Sequence, residues 1–318
     1  MKMSSELQRH ALNGETMGTR YSAVFFAPAG IDLGAIGAAL LAAVDQVDQQ
    51  MSTWKPDSDL SRLNAAPMHQ WHSVPEELLA VLDAAVRVGT ESRGAFDIGV
   101  GSLVNAWGFG PTGQEPDAQQ IRALGQRAQS AASAVLEIDL AQQRVRKNGA
   151  IVLDLSGIAK GYGVDALARC LDRFGIVRYL VGIDGEMRAK GTKPDGQSWA
   201  VAIEKPVRHV REVMGVMELV DAAIATSGDY RHWVEVGNKH FSHTMDARSG
   251  RPVDNRLASV TVIMPTCMLA DAWATALLVM GAPAATELAQ QRGMTALLVV
   301  RVADTFEEIS IVDGQLQR

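Results

Sequence analysis

The feature that most constrains the fold is an almost uninterrupted apolar stretch from Cys267 to Ala285. It is about long enough to span a bilayer, since a transmembrane helix needs roughly 20 apolar residues. Asp271 lies inside the stretch, and a carboxylate at mid-membrane would cost roughly 2.5–3.5 kcal/mol. We therefore predict a buried helix of a globular protein, with Thr266 as its N-cap and Gly281 just past its end.

Elsewhere the chain mixes strand and helix patterns. Helical spacing of apolar residues predicts further helices at 31–51, 76–92, 118–129, 158–174 and 284–292. Alternating or short apolar runs predict strands at 20–27, 134–139, 144–147, 151–155, 178–183, 187–190, 199–204, 214–219, 222–226, 233–236, 240–245, 257–264, 294–302 and 308–312. The polar segment 52–64 and the Gly-rich segment 94–113 are predicted as loops. Because many of the strands come in pairs, the pattern indicates an α+β fold rather than a regular βαβ array.

Composition excludes several classes of protein. The chain has 318 residues, enough for one large domain or two, with 30 basic and 36 acidic residues. The acidic surplus argues against a general nucleic-acid binder. Cys170 and Cys267 are far apart, which excludes a disulfide framework and a cysteine zinc site.

The polar stretch Met1 to Asn13 has no signal-peptide pattern, so we expect a cytoplasmic protein or a mature form without its leader.

The segment from Asp154 to Gly163, DLSGIAKGYG, combines a small-residue turn with the start of a predicted helix. Free backbone N–H groups at such a start stabilise an anion. Lys160 adds a positive charge where helices disfavour cations, which indicates an anionic partner for it. An ordinary strand–helix turn, with Ser156 as cap and Lys160 in solvent, is the alternative.

Asp271 and Thr275 lie one turn apart on the apolar helix and share one face. A lone buried carboxylate is costly unless it is paired or binds a cation. One carboxylate and one hydroxyl, with no Lys or Arg close by in the sequence, suit Mg²⁺, which binds few protein oxygens and completes its shell with water and phosphate. A structural carboxylate that caps a neighbouring loop fits the pattern equally well.

His243 lies two residues before Met245 in a predicted strand, and a histidine there is suited to act as a general base. A structural histidine is the alternative. Three further segments, Glu15–Thr19, Met51–Pro56 and Gly94–Asp97, each place an apolar or aromatic side chain in a loop. Together they would wall a flat ring system, whereas singly each is compatible with loop packing.

Taken together, eight stretches resemble one family, the ApbE-like FAD:protein FMN transferases. In the order of the family they are ETMGTRYS, MSTWKPDSDLSRLN, GAFDIGVGSLVNAWGFGP, LDLSGIAKGYGVD, GIDGEMRAKG, ATSGDYR, SHTMDARSGRPV and ASVTVIMPTCMLADAWATAL. They extend from about Glu15 to Met280, and 281–318 is predicted as the C-terminal helix and strands of the same domain. We therefore expect a single domain over 1–318.

The resemblance implies a T-fold-like α+β domain with two lobes, mixed or antiparallel sheets flanked by helices, and FAD in the cleft between the lobes. It also implies an Mg²⁺-dependent enzyme that transfers FMN from FAD to a Thr or Ser hydroxyl of a target protein and releases AMP. The implied targets are flavin-carrying subunits of membrane redox pumps and related electron-transfer proteins, and the implied compartment is the periplasm. An FAD pyrophosphatase and a non-catalytic flavin-binding protein are the alternatives.

Site residues also follow from the resemblance. The FAD contacts correspond to Met17, Trp54, Ala95, Phe96, Asp97, Asp154, Lys160 and Met245. The metal ligands correspond to the carbonyl of Gly157 and the side chains of Asp271 and Thr275. Catalytic roles fall to His243, Lys160 and Asp271, with Asp246 as an alternative base or as the residue that orients His243. Two positions depart from the family pattern, since Trp54 stands where Tyr is more usual and Asp184 where Gly is more usual.

Overall fold

The computed structural model describes residues 7–111, 115–125, 131–231, 233–236 and 239–317. The helices are α1 (Leu33–Met51), α2 (Asp59–Ala65), α3 (Glu76–Glu91), α4 (Gly101–Ala106), α5 (Ala118–Gly125), α6 (Ala132–Val135), α7 (Ala159–Arg173), α8 (Cys267–Met280) and α9 (Ala282–Gln291). The strands are β1 (Leu7–Thr16), β2 (Thr19–Pro28), β3 (Trp71–Ser73), β4 (Leu136–Asp139), β5 (Arg144–Lys147), β6 (Tyr179–Ile183), β7 (Glu186–Lys190), β8 (Trp199–Glu204), β9 (Val213–Leu219), β10 (Ala223–Gly228), β11 (Trp233–Val236), β12 (Lys239–Ser242), β13 (Met245–Asp246), β14 (Arg251–Pro252), β15 (Leu257–Met264), β16 (Thr295–Val302), β17 (Thr305–Val312) and β18 (Gln315–Leu316).

A nine-stranded antiparallel sheet in the order β1-β2-β6-β7-β10-β15-β16-β17-β18 forms the centre of the fold. Side chains alternate across it, so that Ala223 packs in a cluster with α1 and α7 while its neighbour Ile224 packs in a cluster with β8 and β9. Helices α1, α7 and α8 therefore cover one face, and the β8–β9 hairpin covers part of the other. The predicted α+β class, with antiparallel sheets flanked by helices, is confirmed.

Helix α8 confirms the prediction made from the apolar stretch, because it is buried on nearly all sides against α7, β10 and β15. No helix of the described residues combines the length and the apolarity needed to cross a membrane. Thr266 is the N-cap residue, but its hydroxyl is buried without a hydrogen bond within the described chain. Asp165 of α7 takes over the capping, since its two carboxylate oxygens accept from the backbone N–H groups of Cys267 and Met268, both at 3.0 Å.

The two predicted loops each contain a short helix, so both predictions are wrong in part. In the first, α2 begins after Ser58, whose hydroxyl accepts from the Ser61 N–H at 3.0 Å. In the second, α4 lies in the middle of the Gly-rich segment. Both helices are only one or two turns long, and such lengths leave little periodicity for a sequence to reveal.

The strand predicted at 151–155 is also wrong. Only Val152 makes a bridge, in parallel with Val100. The side-chain amide of Asn64 replaces the missing ladder, because it accepts from the Leu153 N–H at 2.7 Å and donates to the Leu153 carbonyl at 2.9 Å. Conversely, β1 pairs with β2 over its whole length but is too polar and exposed to be predicted as a strand.

The segment around His243 differs from the prediction as well. β11 pairs with β12, and residues 237–238 between them lie outside the described residues, as do 126–130 at the end of the predicted helix 118–129. Strand β12 ends at Ser242, and Met245 begins β13, which pairs with β14. His243 therefore lies in the connection between two strands rather than within one.

Candidate active site

The N-terminal half of α7 crosses α8 with almost no space between the two backbones. A Cβ atom on Gly161 would lie 2.4 Å from the Cys267 carbonyl oxygen and 2.8 Å from Asp271 Cβ, so only glycine fits. This approach lets the Gly161 N–H donate to Asp271 Oδ2 at 3.0 Å. The predicted alternative of a structural Asp is therefore correct in part, because Asp271 does bind the backbone of a neighbouring element.

One turn further along α8, Thr275 lies beside Gly157, which precedes α7. A Cβ atom on Gly157 would lie 3.2 Å from Thr275 Oγ1, and that hydroxyl is 3.0 Å from Ser227 Oγ of β10. The fold thus brings the three predicted metal-binding residues together. We call Gly157, Gly161, Asp271 and Thr275 the α7–α8 junction.

A cavity of about 430 Å³ opens above the α7–α8 junction and is lined by Gly157, Asp271 and Thr275. This volume lies in the range of small-molecule sites. Eight further predicted site residues also line the cavity, namely Trp54, Ala95, Phe96, Asp97, Asp154, Lys160, His243 and Met245.

Asp271 is 4% exposed, and its surroundings oppose ionisation. Burial, together with the charge of Glu186, raises its pKa to about 7, although Lys160 and the Gly161 N–H lower it in part. A bound cation would favour the ionised form of such a carboxylate. No Lys or Arg lies near Asp271 in the sequence, but the fold supplies Lys160.

Lys160, in the first turn of α7, has the anionic partner that its position predicts. Its Nζ atom is 2.7 Å from Glu186 Oε1 and 3.6 Å from Asp184 Oδ2. Burial by itself would lower its pKa, but the charges of Glu186, Asp271 and Asp184 outweigh burial and raise that pKa above its ordinary value. Lys160 is therefore a fixed positive charge on the cavity wall.

Two of the predicted flavin-binding carboxylates also hold loop backbone. Asp97 Oδ1 accepts from the Gly99 N–H at 2.7 Å and from the Ala132 N–H at 3.1 Å, and burial raises the pKa of Asp97. Asp154 Oδ1 accepts from the Ser156 N–H at 2.8 Å and so forms the turn before α7. Ser156 is therefore not the helix cap; the N-cap residue is Ile158.

Met17 lines a second cavity instead of the first. Its backbone φ is 46°, and its side chain packs near Gly163 of α7. The second cavity adjoins the first, because both are lined by Lys160, Asp184 and Arg231. The predicted FAD contacts are therefore distributed over two adjoining cavities.

His243 lines the first cavity, and its ring lies edge-on to Phe109 with the ring centroids 6.3 Å apart. Asp246, the alternative base, is engaged elsewhere, since its Oδ1 atom accepts from Arg248 Nε at 2.9 Å. Of the two candidate bases, His243 is the one in the wall of the cavity.

The structure adds charged residues to which the sequence gave no role. Glu186 is buried, and its Oε2 atom has no hydrogen-bond partner within the described residues. Arg231 joins Asp184, at 3.0 Å, to Glu204 of β8. The only sequence signal for a role of Arg231 and Asp184 is that they belong to the family-like stretches ATSGDYR and GIDGEMRAKG. Asp184, the position more usually occupied by Gly, has a φ of 52° and pairs with both Arg231 and Lys160.

The donor set of the α7–α8 junction fits a hard cation. Within the described ranges, no three His, Cys, Asp or Glu side chains form a metal-binding group. The junction instead offers one buried carboxylate, one hydroxyl and backbone oxygen, a set that suits Mg²⁺ better than zinc or copper.

Comparisons with known proteins show which family the chain is similar to. The model of the ApbE family matches residues 17–298. The FAD:protein FMN transferase of Vibrio cholerae is 38% identical over 299 residues, which are 93% of this chain and 89% of that protein. The Escherichia coli K12 protein of the same description is 36% identical, over 93% of this chain and 85% of its own length.

Solved structures show the same similarity in three dimensions. The flavin transferase ApbE from Vibrio cholerae superposes with a TM-score of 0.85 at 37% identity, over 96% of this chain and 97% of that one. The apo form of the Pseudomonas stutzeri flavinyl transferase ApbE also gives a TM-score of 0.85, at 36% identity, over 97% and 96% of the two chains. The family model matches most of the chain, and relatives are more than 30% identical to it. The chain therefore belongs to the ApbE family.

Proposed function

We propose that this protein transfers FMN from FAD to a Thr or Ser hydroxyl of a target protein, in a reaction that requires Mg²⁺ and releases AMP. Flavin transfer is the activity named for its curated relatives. The observation that carries the proposal is the α7–α8 junction, where a buried carboxylate, a hydroxyl and a glycine turn meet beside Lys160 on one cavity wall.

The reaction exchanges one phosphorus–oxygen bond for another. The acceptor oxygen attacks the phosphorus on the FMN side of the FAD pyrophosphate, and the bond from that phosphorus to the bridging oxygen breaks. AMP leaves with the bridging oxygen, and the hydroxyl proton passes to the imidazole of His243. Such a displacement depends on in-line positioning and on neutralising charge.

Different residues of the chain would bind the metal ion, neutralise charge and hold the rings of FAD. Asp271, Thr275 and the backbone of Gly157 would hold Mg²⁺, which when bound draws negative charge from the pyrophosphate oxygens. Lys160 adds positive charge on the same wall, held in place by Glu186. Trp54, Phe96 and Met245 supply apolar surface for the rings of FAD.

We further propose that the acceptor is a flavin-carrying subunit of a membrane redox pump or a related electron-transfer protein, and that the protein works in the periplasm. The family resemblance supports both statements. Fractionation of cells that produce the protein from its own gene, followed by immunodetection, tests the compartment.

The transfer proposal is tested with purified protein, FAD and Mg²⁺, with and without the soluble flavin-carrying domain of a redox-pump subunit. We expect a covalent FMN adduct on that domain by mass spectrometry, with one AMP released per adduct. A domain in which the acceptor Thr is replaced by Ala is the control, and it should remain unlabelled.

Two other results would contradict transfer. Equal release of FMN and AMP, whether or not the acceptor domain is present, would identify an FAD pyrophosphatase. Tight FAD binding with no AMP released under any condition would identify a flavin-binding protein without turnover.

A further inference from the structure

The most exposed large apolar side chains of the described residues lie close to the cavity. Trp54 is 64% exposed, Val216 is 62% exposed and Val213 is 61% exposed. Trp54 lines the cavity itself. We call these three residues the apolar rim.

The two valines reach the cavity through strand pairing. In the β8–β9 hairpin, Val216 lies opposite Ala202 and Val213 lies opposite Glu204, and both Ala202 and Glu204 line the cavity. Both valines therefore lie one strand away from residues of the cavity wall.

The two faces of the hairpin are used differently. Trp199, Val201 and Ile203 of β8 are buried against the central sheet, which explains the apolar residues on the inner face. Val216 and Ala202 lie on the other face, where packing within this chain does not account for an apolar side chain. Exposed apolar surface next to a functional cavity is typical of an interaction site.

We propose that the apolar rim and the outer face of the β8–β9 hairpin dock the acceptor protein, through apolar residues that flank its acceptor hydroxyl. This inference rests on the proposed function. A folded acceptor cannot enter a cavity of about 430 Å³, so only a short segment reaches the α7–α8 junction. The rest of the acceptor must then contact the surface around the opening, and on the β8–β9 side that surface includes the exposed side chains of Val213 and Val216.

The experiment compares two valines on exposed strand positions. Val216→Lys places a charge on the rim, whereas Val312→Lys places the same charge on β17, where Val312 is 43% exposed and lines neither cavity. Both side chains already face solvent, and substitutions at exposed positions rarely change stability by much, so both variants should fold. Val216→Ile keeps the rim apolar and serves as the conservative variant.

With the soluble flavin-carrying domain of a redox-pump subunit as acceptor, we expect Val216→Lys to lower kcat/KM for the acceptor by about tenfold or more, mainly through KM. Val312→Lys and Val216→Ile should stay near the wild-type value. FAD affinity, measured by fluorescence titration, and the melting temperature should be unchanged in all three variants.

Several outcomes would overturn the proposal. Wild-type kcat/KM in Val216→Lys, or an equal loss in Val312→Lys, would remove the role of the rim. Weaker FAD binding in Val216→Lys would assign the rim to the flavin. Conversion of a wild-type dimer to a monomer, seen by sedimentation, would assign it to a second copy of this chain. If the wild-type enzyme labels no acceptor, the proposed function fails first and the docking site fails with it.

Discussion

The α7–α8 junction and the apolar rim are built in opposite ways. At the junction two helix backbones touch, Asp271 is 4% exposed, and a Cβ atom on Gly161 would clash with a main-chain oxygen. At the rim, side chains such as Trp54 and Val216 are more than half exposed and lie on a loop and on a two-stranded hairpin.

This difference separates chemistry from recognition. Holding a metal ion and a pyrophosphate requires groups fixed within a fraction of an ångström, which buried helices provide. Binding a protein requires accessible surface, which loops and hairpins provide. We therefore expect changes at the junction to affect the chemical step and changes at the rim to affect binding.

The largest effect is expected from Asp271 in the junction. Asp271→Asn keeps an oxygen that can accept from the Gly161 N–H but removes the negative charge, so transfer should fall by roughly 10³-fold or more. Asp271→Ala should also abolish transfer while the protein stays folded, because removal of a costly buried charge offsets the loss of the acceptor for the Gly161 N–H. AMP release measures transfer, and circular dichroism measures whether the protein is folded. Full activity of either variant at low Mg²⁺ would contradict the role of Asp271 as a ligand.

His243 lines the same cavity and should give the next largest effect. If it accepts the hydroxyl proton, His243→Gln should slow transfer by about 10²-fold or more. At saturating Mg²⁺, which would keep Asp271 ionised, the variant should also lose the limb of the pH–rate profile on which the wild-type rate falls toward acid pH, since protonated imidazole cannot act as a base. A near-normal rate with an unchanged profile would make His243 a structural residue.

Gly161 tests the tight contact between the helices. Gly161→Ala places a methyl group 2.4 Å from the Cys267 carbonyl oxygen, so the helices must separate, and we expect a loss of about 3 kcal/mol in the free energy of unfolding. Gly30→Ala is the control, because no atom lies within 4 Å of its Cβ position. Urea denaturation measures both variants. Equal stability of the two would mean that the junction is not tightly packed.

Trp54 tests whether the apolar rim also binds FAD, and its replacement should give the smallest effect. Trp54→Ala should weaken FAD binding by about 1–3 kcal/mol, the range for stacking of a base on an aromatic side chain. Trp54→Phe should retain most of the affinity. Asp271→Asn should leave this ring contact intact. Comparison of Trp54→Ala with Asp271→Asn therefore separates ring binding from the chemical step. Unchanged FAD affinity in Trp54→Ala would leave Trp54 as an acceptor contact only.

Local patterns in the sequence were sufficient for the parts of the site that lie within one element. Asp271 and Thr275 share a face because residues four apart always do so on a helix. The position of Lys160 in the first turn of α7 predicted an anionic partner, and the structure contains one. The short helices α2 and α4 and the polar strand β1 were missed, since each depends on neighbours more than on its own residues.

The sequence by itself determined the α+β class, the burial of α8 and the shared helix face of Asp271 and Thr275, because helix and strand periodicities fix which side chains point the same way. Only the tertiary structure decided which groups meet. Glu186 reaches Lys160 from 26 residues away, and the Gly161 N–H reaches Asp271 across 110 residues. It also decided that Val213 and Val216 stay exposed beside the cavity. Such contacts depend on how the whole sheet and its helices pack, and no spacing within a short segment encodes them.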